Sequence, residues 1–129
     1  MKKKILIINA NYYKEISKGL LNSAKKDLPK SFIIKIIKVP GVFEIPVTIS
    51  KNLKKFDGFI ALGCVIKGKT PHFDFISSVT TDAIMQLSVK SKKPVGNGVI
   101  TCLNMKQAII RKKKGTEAAQ AVLSVLSQK

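Results

Sequence analysis

Four apolar runs rich in β-branched residues, separated by stretches of helical spacing, constrain this chain more than any other feature. Lys4–Ile8 (KILII), Phe32–Val39 (FIIKIIKV), Phe56–Val65 (FDGFIALGCV) and Pro94–Thr101 (PVGNGVIT) read as strands. The near-continuous apolar character of the first two is what a parallel sheet covered on both faces requires. Behind Ser17 as an N-cap, Leu20, Leu21, Ala24 and Leu28 share one helical face, and Pro29 is the stop. A second helix is expected from near Pro46, with Val47, Ile49 or Ser50, and Leu53 inward. A third is expected over Pro71–Lys90, with Ile76, Val79, Ala83 and Leu87 as its buried stripe. The remainder divides into Asn104–Lys112 and Thr116–Gln128, with Lys114–Gly115 as the break. Strict alternation of strand and helix predicts an α/β fold, a three-layer sandwich around a four-stranded parallel sheet, as a single domain over residues 1–129.

A formal charge of +17 attracts phosphate backbones whatever the fold. Nearly all of it is lysine, Arg111 being the sole arginine, and the lysines are spread along the chain with few aromatics between them for base stacking. That pattern points away from a dedicated nucleic-acid binder. The apolar run Ile5–Ile8 is too short for a signal peptide or a membrane span, so a cytoplasmic location and no membrane partner are expected. Cys64 and Cys102 lack metal-ligand spacing and read as reduced structural thiols.

In a parallel α/β sheet, ligands bind beyond the carboxyl ends of the strands. Those ends carry Asn9–Tyr13, Val39–Glu44, Gly63–His72 and Gly96–Thr101. The third, GCVIKGKTPH, fits the P-loop pattern through Gly63, Gly68, Lys69 and Thr70. Against that reading, the variable positions Cys64, Val65, Ile66 and Lys67 hold no small residue to relax a sharply curved loop. No other strand ends in the Asp that a magnesium site needs. The rival reading is a strand end, a short turn and a helix start, with Thr70 as N-cap and Pro71 at N1. Free amides and Lys69 would then hold an anion beside His72, the only histidine. An imidazole placed there can take and return protons near neutral pH. The plainer alternative is a surface histidine at a helix start.

VPGVFEIP at Val39–Pro46, GCVIKGKTPHFDF at Gly63–Phe75, PVGNGVIT at Pro94–Thr101, and the tail from Gln107–Ala108 through Arg111 to Lys114–Gly115 together resemble the lumazine synthase family. The resemblance covers nearly the whole chain. It implies a flavodoxin-like arrangement of the sheet and a transferase of riboflavin biosynthesis that uses no cofactor and no metal. Such enzymes join 5-amino-6-(D-ribitylamino)uracil to 3,4-dihydroxy-2-butanone 4-phosphate, releasing phosphate and water and forming 6,7-dimethyl-8-ribityllumazine. By the same resemblance His72 is the acid/base, and Lys69, Thr70 and Arg111 hold the phosphate, the planar fork of Arg111 suiting a bidentate clamp. Tyr12 stacks on the pyrimidine, Val42, Phe43 and Glu44 meet the ribityl side, Cys64, Val65 and Ile66 line the ring's other edge, and Lys114 meets the ring carbonyl region.

Three departures accompany the resemblance. Asn97 stands where the family usually has a Phe in the neighbouring subunit's wall, so one side of the pocket becomes polar. The link from Arg111 to Gly115 lacks about five residues of the usual glycine-rich connection, which makes Lys112 or Lys113 an alternative to Lys114. The family also often carries an extra N-terminal segment that adds a strand to the next subunit, and none is expected ahead of the first core strand here. The resemblance also implies a homopentamer with active sites between subunits, and Ala118, Ala119, Val122, Leu123 and Leu126 are expected to give it an apolar seam. Two other readings stay open: an archaeal-type riboflavin synthase sharing the fold, and a basic phosphate-binding oligomer without the chemistry.

Overall fold

The first strand lies inside the sheet. In the computed structural model, which describes residues 2–128, β1 (Lys4–Ala10) pairs in parallel with β2 (Ile33–Val39) on one side and β3 (Gly58–Ile66) on the other. β4 (Val95–Cys102) pairs in parallel with β3 and completes the order β2-β1-β3-β4. This is the expected flavodoxin-like sheet. Side chains alternate across it as the pleat dictates. Ile5 and Ile7 of β1 join Ile60 and Leu62 of β3 under α1 (Lys14–Lys26), α4 (Met105–Arg111) and α5 (Gly115–Leu126). Leu6 and Ile8 join Phe59 and Ala61 under α2 (Ile45–Asn52) and α3 (His72–Ser91). The apolar runs of β1 and β3 are thus strands buried on both faces, whereas β2 is only partly buried and leaves Ile33 exposed. β2, at one edge, keeps Lys35 and Lys38 in solvent, which blunts that edge against pairing with another chain.

The helices depart from expectation in their faces more than in their existence. α1 begins at Lys14, a turn before Ser17, because starting there buries Ile16 completely enough to leave it 1% exposed. Ser17 is no cap; it is buried and its hydroxyl donates to the Lys14 carbonyl at 3.1 Å. In α2, Ile45 and Ile49 point inward and Val47 is exposed, since a helix starting at Ile45 turns Val47 away from the sheet. In α3, Thr80 and Ile84 are buried while Val79 is exposed. Phe75, Val79, Met85 and Val89 leave this helix with a second, outward apolar surface.

The expected seam on α5 is absent for the opposite reason. Ala118, Ala119 and Val122 are consumed by the chain's own core, with Leu123 and Leu126 packed against it. Gly115 is not a break either. It is the first residue of α5, and a Cβ there would lie 2.1 Å from the Leu20 carbonyl oxygen, so glycine is what lets α5 lie against α1. Among the described residues no helix is long and apolar enough to cross a membrane.

Candidate active site

The sheet changes winding direction between β1 and β3, and the crevice beyond their carboxyl ends is where α/β proteins of this kind bind ligands. A cavity of about 600 Å³ opens there. Its wall draws Tyr12 from the end of β1, Val42 and Phe43 from the short 3₁₀ turn Val42–Glu44, Cys64, Val65 and Ile66 from β3, and His72 from the start of α3. These residues come from separate segments and are brought together by the parallel strands. Gly63 permits the close fit of one of them: a Cβ at Gly63 would lie 2.5 Å from Cγ1 of Val42. The same segment disposes of the P-loop reading. Residues 63–66 are extended strand, and Lys67 carries the pairing onward by donating its N–H to the Cys102 carbonyl at 2.8 Å, so nothing there curves around a phosphate.

The helix start differs by one residue from expectation. Pro71 is the flanking residue and His72 the first of α3; the Thr70 hydroxyl lies 3.4 Å from the His72 N–H as a weak acceptor. His72, Thr70 and Lys69 are all exposed, and of the three only His72 lines the cavity. Glu44 also stays off its wall. Its carboxylate turns back to accept the Gly41 N–H at 3.0 Å, closing the 3₁₀ turn on itself. The exposed rings of Phe43 and Tyr12 both line the cavity.

Apart from His72, the wall has no Asp, Glu, Lys or Arg. Burial pushes the Cys64 thiol up to about 12, helped by the neighbouring Cys102 and a hydrogen bond to it. Tyr13 is also raised, first by burial and then by Cys64 and Tyr12. Tyr12 and Tyr13 meet edge to face with ring centroids 4.9 Å apart, a common aromatic geometry. A neutral, partly aromatic wall beside one imidazole suits a flat heterocycle that must exchange protons. Among the described residues no group of three or more His, Cys, Asp or Glu could hold a metal ion.

Asn97, Arg111 and Lys114 lie elsewhere. They line a second cavity of about 300 Å³ beside β4, which shares no lining residue with the first. There the Asn97 carboxamide oxygen accepts the Val99 N–H at 3.0 Å, and Lys114 pairs with Glu117 at 3.0 Å.

The sequence pattern of the 6,7-dimethyl-8-ribityllumazine synthases matches residues 2–129. The chain belongs to this family. It is 42% identical to the 6,7-dimethyl-8-ribityllumazine synthase of Bartonella bacilliformis, over 97% of this chain and 89% of that one. Identity is 38% to the synthase of the same name from Agrobacterium fabrum, over 97% and 93% of the two chains. For that of Cutibacterium acnes it is 36%, over 96% and 80%. The lumazine synthase name of these relatives favours neither the riboflavin synthase reading nor the non-catalytic phosphate binder. Within this family frame, three further residues line the main cavity without having been singled out as site residues: Tyr13, Gly41 and Ile76. Tyr13 adjoins Tyr12 and Gly41 sits inside VPGVFEIP, so both carried a signal; Ile76 was legible only as a core position of α3.

Proposed function

We propose that this chain condenses 5-amino-6-(D-ribitylamino)uracil with 3,4-dihydroxy-2-butanone 4-phosphate, the lumazine synthase reaction of riboflavin biosynthesis, at the cavity beyond β1 and β3. The observation that carries this reading is the convergence of Tyr12, Phe43, Cys64–Ile66 and His72 on one cavity in a chain of that family. The pyrimidine lies between Tyr12 and the β3 wall, with the ribityl chain along Val42 and Phe43. His72 serves as acid and base. The 5-amino group adds to the butanone carbonyl and water leaves as a Schiff base forms; the phosphate C–O bond then breaks, the resulting enol becomes a ketone, and the ribityl-bearing nitrogen adds to that carbonyl, a second water leaving as the ring closes. Each step moves a proton, and His72 is the only imidazole available to move it.

The phosphate needs a cation, and Arg111 is the residue suited to clamp it, with Lys69 and Thr70 at the α3 start as further contacts. Arg111 lines the second cavity and His72 the first. A complete site therefore joins the first cavity of one subunit to the second cavity of the next, with Lys114 and the polar Asn97 entering from that neighbour. The assembly is a homopentamer. Its support is the outward apolar surface on α3, together with the exposed Leu103, Met105 and Ile110 around α4, more than a monomer usually leaves to water. The free thiols Cys64 and Cys102 suit the reducing cytoplasm.

Purified protein mixed with both substrates should release free phosphate and a fluorescent lumazine. Folded, assembled protein that yields neither would end this reading. His72→Ala should cut turnover by about 10²–10⁴-fold with assembly unchanged.

A further inference from the structure

At the end of the sheet opposite the cavity, lysines far apart in sequence meet. Lys2 and Lys4 enter β1, Lys30 precedes β2, Lys54 and Lys55 precede β3, and Lys93 precedes β4. Because all four strands are parallel, every one of these approaches lies at the same pole. The main chain joins them there: the Ile33 N–H donates to the Lys3 carbonyl at 2.9 Å and the Asp57 N–H to the Lys4 carbonyl at 2.8 Å. Lys2, Lys4, Lys54, Lys55 and Lys93 line an open groove of about 520 Å³ that has a single acid, Asp57. That acid is already engaged, its carboxylate accepting the Lys4 N–H at 2.8 Å. Lys93 is also occupied, donating to the Leu53 carbonyl; the other four are exposed.

The ordinary uses for such charge cover only part of the groove: Lys93 donates to the carbonyl of Leu53, the residue that ends α2, and Lys54 and Lys55 follow that helix end directly. Lysines in the last turns of helices offset the macrodipole, and Lys26 of α1, Lys51 of α2 and Lys90 of α3 do so here. Lys2 and Lys4 belong to no helix. Lys92, which precedes Lys93 in the chain, occupies the left-handed cap of α3 at φ 58°, a place that glycine ordinarily takes. Steering of a phosphate substrate is not served either, since a seven-residue strand sets this pole about 20 Å from the cavity.

We infer that this lysine pole is a docking surface for the phosphodiester backbone of a nucleic acid. Separate ammonium groups on flexible stems meet successive phosphates as point charges and carry no base readout. The groove's one exposed large hydrophobic residue is Ile33. Phe56, the groove's aromatic, is buried in the chain's own core, so the groove has neither the exposed aromatic anchor of a protein hot spot nor the apolar face that inserts into a membrane. Lysines that look scattered along the sequence are gathered by the fold, which reverses the weight that scatter carried against a nucleic-acid partner.

The test is fluorescence anisotropy of the assembled protein with a labelled single-stranded RNA of mixed sequence, about 20 nucleotides long, between about 0.05 and 0.2 M salt. Binding should weaken with salt. The triple variant Lys2→Gln/Lys54→Gln/Lys55→Gln should lose at least about tenfold in affinity and flatten the log–log salt slope by about 2, three contacts at ~0.7 each. Its melting transition and lumazine formation should be unchanged. Lys14→Gln/Lys38→Gln/Lys106→Gln removes equal charge from the other end and should bind within about threefold of the parent. The inference is overturned by absence of binding at low salt or by equal losses in both triple variants, which would make net charge the whole effect. It is equally overturned if polyglutamate, or vesicles of anionic lipid, compete as well as the RNA at matched charge.

Discussion

Arg111 donates from Nη1 to the main-chain oxygen of Thr101 at 3.2 Å, tying the end of α4 to the carboxyl end of the edge strand β4. Four residues earlier on that strand, the Asn97 side chain accepts the Val99 N–H. Both side chains thus satisfy main-chain groups beside the second cavity, where an edge strand would otherwise offer them to another chain. Asn97 therefore has a local structural use.

Arg111→Ala should raise the apparent KM for the butanone phosphate by about 10–100-fold, the equivalent of about 1.5–3 kcal/mol for hydrogen bonds to a charged group. Turnover at saturation should change less, and the melting temperature hardly at all, because Arg111 is exposed. Arg111→Lys should recover only part of the loss, since it restores charge without the fork. Steady-state kinetics with each substrate varied in turn checks this.

Gly115→Ala should destabilise the fold by about 1–3 kcal/mol, because its methyl group meets the Leu20 carbonyl oxygen at 2.1 Å and main chain has to move. Gly68→Ala is the matched control, with nothing within 4 Å of the added carbon. Thermal unfolding followed by circular dichroism should show a drop of several degrees for the first and almost none for the second. A tolerated Gly115→Ala would mean that α1 and α5 pack less closely than described.

Phe75→Glu/Val79→Glu places two charges on the outward face of α3, where neither side chain contributes to the chain's own core. Sedimentation velocity should show the assembly falling to smaller species, with helix content kept and lumazine formation lost as the two cavities separate. Unchanged mass would remove α3 from the interface.

Cys64 should alkylate slowly. Its thiol is held up to about 12 in the folded protein, so at pH 8 iodoacetamide should react at least about tenfold more slowly with it than with the unfolded chain, since the thiolate is the nucleophile. The sign for stability follows from the raised value. The contribution is fully present below about pH 9, where the unfolded thiol keeps its proton, and fades as pH climbs toward 12. Cys64→Ala should flatten the alkaline fall in melting temperature over that window.

The strands were legible because their signal is local. A run such as KILII names a strand buried on both faces without knowledge of its neighbours, and the motifs around Phe43, Cys64 and His72 named most of the cavity wall. Helix faces were less legible. The spacing of α3 supports two stripes, one through Val79 and one through Thr80 and Ile84, and the sheet beneath decides that the second is buried. Glu44 was expected at the ribityl chain, yet its nearest unsatisfied donor is the Gly41 N–H three residues back, and the carboxylate is found there.

The sequence by itself determined four parallel strands, their order of connection, and a histidine at the carboxyl end of the third, because periodicity and short motifs act over a few residues. The tertiary structure alone decided which helix face meets the sheet, why Gly115 has no side chain, and that Arg111 and His72 line different cavities. It alone brought Lys2, Lys54 and Lys93 to one pole. All of these depend on contacts between segments tens of residues apart, and only closure of the sheet sets those distances.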